Sequence, residues 1–365
     1  MNAFKLLMAA SCFLGLATSG VAKQDYSKSE GLLQYVDPYI GSGFHGHVFV
    51  GTSVPYGMVQ LGPNNIHKGW DWCSGYHHSD SIVIGFAHTH LSGTGCTDMG
   101  DVQIMPYTGE LRSKRGRQED IGGSCSSYYS HDNESVSPGY YSLKMDNGVR
   151  IEMTASTRTA LHRITYPEAE GRRLLINLEE GNGDGAYDTY LRQTDAHTVE
   201  GYRFSKGWGP HKVFFALTTD KPIRSLALFD ADTPSEGSEI RCKGAKGVLT
   251  FDDEKQVMVK VAISSVSSAN ALENLRTEIP GWDFKAVQAE AIRRWRPSTS
   301  KPRTKPPKRS STRPCTTPSS PRRPTATSTA NSADTTTRSS KTPHGPTTRP
   351  SRCGTPTAPC IRSSR

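Results

Sequence analysis

The last part of the chain has almost no side chains with which to build a core. Residues 297–365 contain one large aliphatic residue, Ile361, and no Phe, Tyr or Trp. Most of the segment is Ser, Thr, Pro and Arg. Such a segment buries too little apolar surface to offset the entropy lost when it is ordered. The sequence therefore predicts a disordered tail over residues 297–365.

Acidic residues are nearly missing from the same tail, which has 14 Lys and Arg against one acid, Asp334. The tail thus carries +13 and the whole chain +9, so residues 1–296 carry −4. The net positive charge therefore lies in the tail and not in the part that is predicted to fold. Because the tail also lacks aromatic side chains for base stacking, we expect no nucleic-acid partner.

Long apolar runs are scarce as well. One run over residues 6–17 follows a lysine and precedes small residues at positions 20–22, and it is too short to span a bilayer. It predicts a signal peptide over residues 1–22, then a linker over residues 23–34, and a periplasmic or secreted product without a transmembrane segment. A buried first strand is one alternative, and an outer-membrane lipoprotein modified at Cys12 is another.

Cysteine pairs at metal-binding spacing are absent. Of the eight Cys, one lies in the signal segment and three lie in the tail. The remaining four form no CxxC and no zinc spacing, and the spacing assigns no disulfide although export would permit one. These four are Cys73, Cys96, Cys125 and Cys242.

Strand patterns begin at about Pro138. Residues 140–145 and 149–154 alternate around Asn147-Gly148, which is a strong hairpin signal. Further strand patterns cover residues 162–166, 173–178, 201–204, 212–217, 223–229, 247–251 and 256–264. Short strands without intervening helices predict an all-β fold, an antiparallel β-sandwich over residues 35–267.

Helix signals appear only after these strands. Residues 268–277 predict one short helix, and Asp283 is placed to cap a second helix that runs to about residue 296. Residues 268–296 are therefore predicted to be a helical linker of the kind that leads from a sandwich into a following domain.

The segment before the strands is rich in Gly and carries a series of linked motifs. It contains VDPYIGSGFHGHVFVGTSVPYGMVQLGPNN, then GWDWCSGYHHSDSIVIGFAHTHLSGTGCTDMGDVQIMP. The Gly spacing indicates tight turns and close backbone approach. Over residues 34–296 the chain resembles the N-terminal portion of glycoside hydrolase family 92, the calcium-dependent exo-α-mannosidases. Phe44 and Val50 depart from the family's usual Gly and Pro, which affects only the expected loop shape.

The resemblance implies a two-domain enzyme in which a β-sandwich packs on an (α/α)6 barrel. It implies inverting, exo-acting hydrolysis of terminal mannose from glycans, with α-1,2 linkages as the expected target and calcium as the cofactor. In the family, the acid and base and most calcium ligands belong to the barrel. Nothing in residues 1–296 matches that catalytic pair, so no catalytic residue is predicted here. The alternative is a non-catalytic carbohydrate-binding sandwich.

Trp70 and Trp72 flank Asp71 in a segment bounded by Gly. Indole rings offer flat apolar surfaces that suit the C–H faces of sugars. With the resemblance, we predict that these tryptophans bind substrate and that at least one lines the mannose pocket. Ordinary core or rim tryptophans are the alternative.

His88 and His90 are two residues apart and would face one side of a strand. They are candidate substrate-binding residues, with half of a metal site or structural histidines as alternatives. His45 and His47 repeat the spacing. Asp98 and Asp101 carry carboxylate oxygens of the kind that calcium binds, but these two residues are better explained as caps of their loop. The metal ligands are left unassigned.

The tail also has the composition of a GC-rich gene translated out of frame. A shifted codon can be built from the third base of one codon and the first two bases of the next codon. Read in this way, two long stretches of the tail can encode sequences that look like the family's sequence beyond the linker helix. One of them includes its WDT pocket motif. We therefore predict that the tail is frameshift-derived, that the barrel is absent and that the chain is inactive. A genuine Ser/Thr/Pro-rich basic linker or a cell-wall tail is the alternative.

Overall fold

The computed structural model describes residues 32–168 and 170–295. The predictions for the signal peptide, Cys12 and the tail lie outside these described residues. Of the predicted linker over residues 23–34, the last three belong to a 3-10 helix, Leu32–Tyr35.

The first half of the described chain carries nine strands. They are β1 (Gly62–Asn64), β2 (Ile82–Val83), β3 (Gly85–Ala87), β4 (Gln103–Tyr107), β5 (Ser127–Tyr128), β6 (Glu134–Ser137), β7 (Tyr140–Lys144), β8 (Arg150–Ala155) and β9 (Thr159–Thr165).

Nine more strands and two helices follow within the described residues. They are β10 (Arg173–Asn177), β11 (Gly185–Gln193), β12 (Thr198–Lys206), β13 (Pro210–Thr219), β14 (Ser225–Asp230), β15 (Thr233–Ser235), β16 (Glu239–Cys242), β17 (Ala245–Thr250), β18 (Gln256–Ser264), α1 (Ser268–Glu278) and α2 (Phe284–Trp295).

Two large antiparallel sheets face each other across one core. The seven-stranded sheet has the order β1-β3-β4-β10-β17-β14-β15, and the nine-stranded sheet has the order β16-β11-β12-β13-β18-β9-β8-β7-β6. Buried side chains from both sheets, such as Leu174 and Val248 from the first and Phe215 and Val259 from the second, form a single apolar cluster. The predicted antiparallel β-sandwich is confirmed.

Local sequence signals account for several elements directly. The pairing of β7 with β8 extends as far as Lys144 and Arg150. The Asn147-Gly148 turn joins the two strands, and Gly148 has φ +86° there. The N-cap prediction for α2 is also confirmed, since the Asp283 carboxylate accepts a 3.0 Å hydrogen bond from the amide of Ala286.

The two helices cover the outer face of the nine-stranded sheet. In α1, Ala271 and Leu275 are buried, and Phe284 at the start of α2 packs with Tyr140 and Leu161. This cover explains why β18 is buried at eight of its nine positions instead of alternating. None of the helices that the structure describes is long and apolar enough to cross a bilayer.

The Gly-rich segment forms short strands and 3-10 turns that pack closely. Gly51 illustrates the close packing, because a Cβ atom there would lie 2.0 Å from the carbonyl oxygen of Leu61. A side chain at this position would force the two segments apart. The expected tight turns and close backbone approach are therefore present.

Candidate functional site

A cleft of about 560 Å³ opens where four loops meet. The loops follow β1, β3 and β10 and join β12 to β13. Its walls combine two indole rings with small residues, two thiols and two basic side chains. They are His67, Trp70, Cys73, Gly95, Cys96, Thr97, Gly183, Lys206, Gly207 and Trp208.

Trp70 stands in this cleft with 57% of its surface exposed. Its position is fixed by a 2.8 Å hydrogen bond from its indole nitrogen to the carbonyl of Gly95. The edge of the His47 ring also packs against it, with centroids 4.2 Å apart. An indole that is anchored at its edge and open elsewhere provides a rigid apolar surface for a ligand.

Trp72 lies outside the cleft lining, although it is only two residues away. Its indole nitrogen donates a 2.9 Å hydrogen bond to Asp80, and its ring stacks on His77 at 4.4 Å. The structure thus separates the two predicted sugar-binding tryptophans. Trp70 forms a wall of the cleft, whereas Trp72 packs between neighbouring side chains.

Asp71 links the histidines that flank Trp70. His45 donates a 2.6 Å hydrogen bond from Nδ1 to Asp71 Oδ1, and His47 Nε2 lies 3.6 Å from the same oxygen. The hydrogen bond from His45 lowers the pKa of Asp71, so the carboxylate stays ionised. The group therefore supports the loop that carries Trp70.

His88 and His90 lie inside the sandwich and not in the cleft lining. His88 Nδ1 donates to the carbonyl of Val102 at 2.6 Å, and its Nε2 lies 3.1 Å from Nε2 of the buried His162. Burial lowers the pKa values of His88 and His90 to about 4. Their partners within the protein account for both side chains, and substrate contact by them stays a prediction.

The partners of His90 are two oxygen atoms of the chain. His90 Nδ1 donates to the carbonyl of Gln60 at 2.7 Å, and Nε2 lies 2.6 Å from Oδ1 of Asn64. The histidine therefore joins the chain before β1 to the last residue of β1.

A buried ionic network lies directly behind the cleft. Arg203, on β12, places Nη1 2.6 Å from Asp101 and 2.7 Å from Asp184. His211, on β13, places Nε2 3.1 Å from Asp101. Asp98 closes the network from the cleft side, since its Oδ1 lies 3.9 Å from Nδ1 of His211.

Opposing effects set the protonation of this network. Burial raises the pKa of Asp101, but the hydrogen bond from His211 and the charge of Arg203 outweigh it and hold that pKa at about 2. The hydrogen bond to Asp101 raises the pKa of His211 against the effect of burial. The network therefore favours an ionised Asp101 beside a protonated His211.

The network does not fit calcium. Asp98, Asp184 and His211 place one ligand atom each within 4.8 Å of one another. Calcium takes six to eight oxygen ligands, whereas one of these groups is an imidazole. Both oxygens of Asp184 already bind Arg203, and those of Asp98 accept the amides of Met99 and Trp208.

Of the residues that the motifs indicate, Trp70 lines the cleft, whereas Asp98 and Asp101, interpreted from the sequence as loop caps, lie in the network behind it. Trp208, Arg203 and His211 were not predicted. The sequence of β12 does not indicate a buried Arg203, because its apolar residues Tyr202 and Phe204 lie in the opposite strand phase. Arg203 is accommodated in the buried phase by its ion pairs with Asp101 and Asp184.

A second cavity of about 300 Å³ lies beside α2 and is a weaker candidate. Its carboxylates are already bonded within the protein, because Glu278 holds Ser156 and Arg158 while Glu290 holds Arg293. The cleft at Trp70 instead exposes aromatic surface together with basic and thiol groups.

An open cleft with two indole rings and a few polar groups can bind a small ligand that presents both apolar faces and hydroxyl groups. A profile of the glycosyl hydrolase family 92 N-terminal domain matches residues 35–264. The chain belongs to this family and represents its N-terminal portion.

Relatives of the chain include glycosidases of fungal and bacterial origin. An uncharacterized secreted glycosidase of Arthroderma benhamiae is 27% identical over 317 residues, covering 78% of this chain and 39% of the relative. A family 92 α-mannosidase from Bacteroides thetaiotaomicron is 33% identical, with a TM-score of 0.69, covering 72% of this chain and 37% of the other.

A further structure agrees in fold. An inverting mannosidase of the same family from Bacteroides thetaiotaomicron is 23% identical with a TM-score of 0.62, covering 72% of this chain and 35% of the other. The chain therefore spans less than two fifths of the length of each of these three proteins.

Proposed function

We propose that the described residues form the sandwich half of a mannose pocket in an exo-acting α-mannosidase. The substrates are mannose-containing glycans, with α-1,2 linkages as the expected target and inversion at the anomeric carbon. The observation that carries this proposal is the exposed, edge-anchored Trp70 in the cleft of a family 92 sandwich. The α-mannosidase at 33% identity supports it.

The contribution of these residues is binding and orientation. Trp70 offers an apolar face to the C–H groups of a sugar ring, and His67 and Lys206 offer hydrogen-bond donors from the same walls. A pocket that closes over the sugar would also exclude bulk water and hold the anomeric carbon in a fixed position.

Inverting hydrolysis also needs a carboxylic acid and a carboxylate about 6.5–9.5 Å apart, with the base activating water on the face opposite the leaving group. None of the described residues that line the cleft carries a carboxylate. We therefore expect the acid and base to come from residues outside the described part, and the 365-residue chain to bind mannosides without turnover. The same observation favours a non-catalytic carbohydrate-binding sandwich as the second candidate function.

Calcium belongs to the proposal as a family cofactor that would polarise mannose hydroxyl groups when bound. The buried network does not suit it, so we propose that its ligands lie outside the described residues. We propose export to the periplasm or beyond, which the secreted nature of the fungal glycosidase supports.

Two measurements on the purified chain test these proposals. Saturation-transfer NMR with methyl α-mannoside is expected to show binding that Trp70→Ala abolishes. Tyr128→Ala, an exposed aromatic on β5, is the matched control. No binding by the unmodified chain, or equal binding by both variants, would contradict the proposed pocket.

Hydrolysis of α-1,2-mannobiose separates the two candidate functions. We expect no turnover by the 365-residue chain, and turnover that a chelator removes would contradict this expectation.

We further propose that family sequence continues in another reading frame beyond codon 295. Resequencing the gene there tests this, and an unchanged frame would contradict it.

A further inference from the structure

Trp208 is the second tryptophan of the cleft, and its exposure is larger than that of Trp70. It lies at the tip of the β12–β13 hairpin, between Gly207 and Gly209, with 79% of its surface exposed. A single exposed apolar side chain is common on protein surfaces and indicates nothing by itself. The way in which this hairpin tip is held distinguishes Trp208.

The tip is attached to the buried network through its backbone. The amide of Trp208 donates a 3.0 Å hydrogen bond to Oδ2 of Asp98, a buried residue whose Oδ1 accepts the amide of Met99 at 2.9 Å. Asp98 thereby joins the hairpin tip to the loop between β3 and β4, which contributes other cleft walls.

Gly207 gives independent evidence of the same close contact. A Cβ atom at this position would lie 2.4 Å from Oδ1 of Asp98 and 2.9 Å from Cβ of Asp184. The tip therefore packs directly on the network, and only a residue without a side chain fits there.

The two strands of the hairpin are fixed as well. Arg203, on β12, is fully buried between Asp101 and Asp184. His211, on β13, lies 2.9 Å from the hydroxyl of Ser205 and 3.1 Å from Asp101. Burying charged groups is costly and seldom adds net stability, and its best-attested effect is to select one conformation. Here the selected conformation places an indole at the cleft.

We propose that Trp208 is a sugar-stacking residue of the cleft and that Asp98 is the positioning residue that fixes it. This inference rests on the proposed mannoside-binding function and adds a second aromatic contact to Trp70. A hairpin tip whose backbone is already held at the cleft loses little backbone freedom when a sugar binds, which strengthens binding compared with a mobile tip.

The test measures the Kd of methyl α-mannoside for the purified 365-residue chain by saturation-transfer NMR. Trp208→Ala is expected to raise the Kd roughly 2- to 10-fold, which is the size of one aromatic stacking contact. Trp208→Phe is expected to restore most of the affinity. Tyr128→Ala, the matched exposed aromatic on β5, is expected to leave the Kd unchanged.

Positioning by Asp98 has its own readout. With 5-fluorotryptophan in the protein, Asp98→Ala is expected to shift the fluorine resonance of Trp208, leave that of Trp282 unchanged and raise the Kd. Asp98→Asn keeps one acceptor oxygen and should fall between wild type and Asp98→Ala. An unchanged Trp208 resonance in Asp98→Ala would refute the positioning role.

The outcomes separate the two proposals. If Trp70→Ala abolishes binding while Trp208→Ala binds like wild type, the stacking role of Trp208 is wrong and the proposed function stands. If the unmodified chain binds no mannoside, both are wrong.

Discussion

Arg203 and Asp101 form an ion pair in which neither side chain is exposed, with Nη1 2.6 Å from Oδ1. The ion pair connects strand β12 with the segment that precedes β4, and its two residues are 102 positions apart in the sequence. The same guanidinium binds both oxygens of Asp184, at 2.7 and 2.9 Å. Arg203 therefore binds two buried carboxylates behind the cleft, and it compensates their charge together with His211.

Replacement of Arg203 by Met is expected to destabilise the domain by about 3–5 kcal/mol, because it leaves two buried carboxylates, Asp101 and Asp184, with His211 alone to compensate them. Urea denaturation measures this loss. Arg192→Met removes an exposed pair with Glu200 and should cost at most about 1 kcal/mol. Equal losses in the two variants would show that the buried network is not critical.

Acid is expected to weaken the fold through His88 and His162. Burial holds the pKa of His88 at about 4 and lowers that of His162, whereas an unfolded histidine has a pKa of about 6.5. The unfolded chain thus binds more protons as the pH falls from about 6.5 towards 4, and stability decreases over that window. For His88 the full effect is on the order of 3 kcal/mol.

Urea denaturation at pH 7.5 and pH 5 checks this prediction. His88→Asn should be less stable than wild type at pH 7.5 but should lose less stability on acidification. The raised pKa values of His131 and His211 act in the opposite direction, so the comparison between variants reports on His88 together with its partner His162. A slope in His88→Asn that matches wild type would contradict the assignment.

Two glycines of one hairpin should respond differently to the same substitution. Gly207→Ala places a Cβ atom 2.4 Å from Asp98 Oδ1, and such overpacking costs about 1–3 kcal/mol. Gly209→Ala meets no atom within 4 Å and should be nearly neutral. Thermal denaturation and mannoside titration of both variants provide the test, and similar behaviour would argue against close packing at Gly207.

Cys96 is expected to report on occupancy of the cleft. It is partly exposed and lines the cleft, and Cys242 is partly exposed outside the cleft lining. Methyl α-mannoside should therefore slow iodoacetamide modification of Cys96 and leave that of Cys242 unchanged. Peptide mass spectrometry over time measures both rates in one sample. Equal protection of the two thiols, or protection of neither, would count against a ligand in this cleft.

The sequence predicted those strands whose pattern is strong over their whole length. The bounds of β18 are the predicted ones, residues 256–264, because the run is apolar and bounded by polar turns. Strand β11 was not predicted, because its apolar pattern is weak. Only Thr189 and Leu191 are buried in it, and the alternate positions Asp188 and Tyr190 are partly exposed. Its pairing with β12 and β16 defines it as a strand, and such pairing is not visible in local sequence.

The candidate site was less predictable than the fold. The motif block pointed to Trp70 because Gly and aromatic residues cluster there. Asp98 and Trp208 are 110 residues apart in the chain, and local spacing contains no information about such a contact. The different environments of Trp70 and Trp72 likewise depend on contacts with other residues. Asp80 binds the indole nitrogen of Trp72 and His77 stacks on its ring.

The hydrogen bond between Asp98 and Trp208 also has a thermodynamic consequence. Because the cleft is assembled from segments this far apart, it exists only when the sandwich is complete, and no excised loop or short peptide should reproduce it. Any sugar that occupies the cleft binds the native state alone and must raise the melting temperature of the entire domain with its concentration. A thermal-shift screen against a panel of monosaccharides would therefore rank ligands without any catalytic assay.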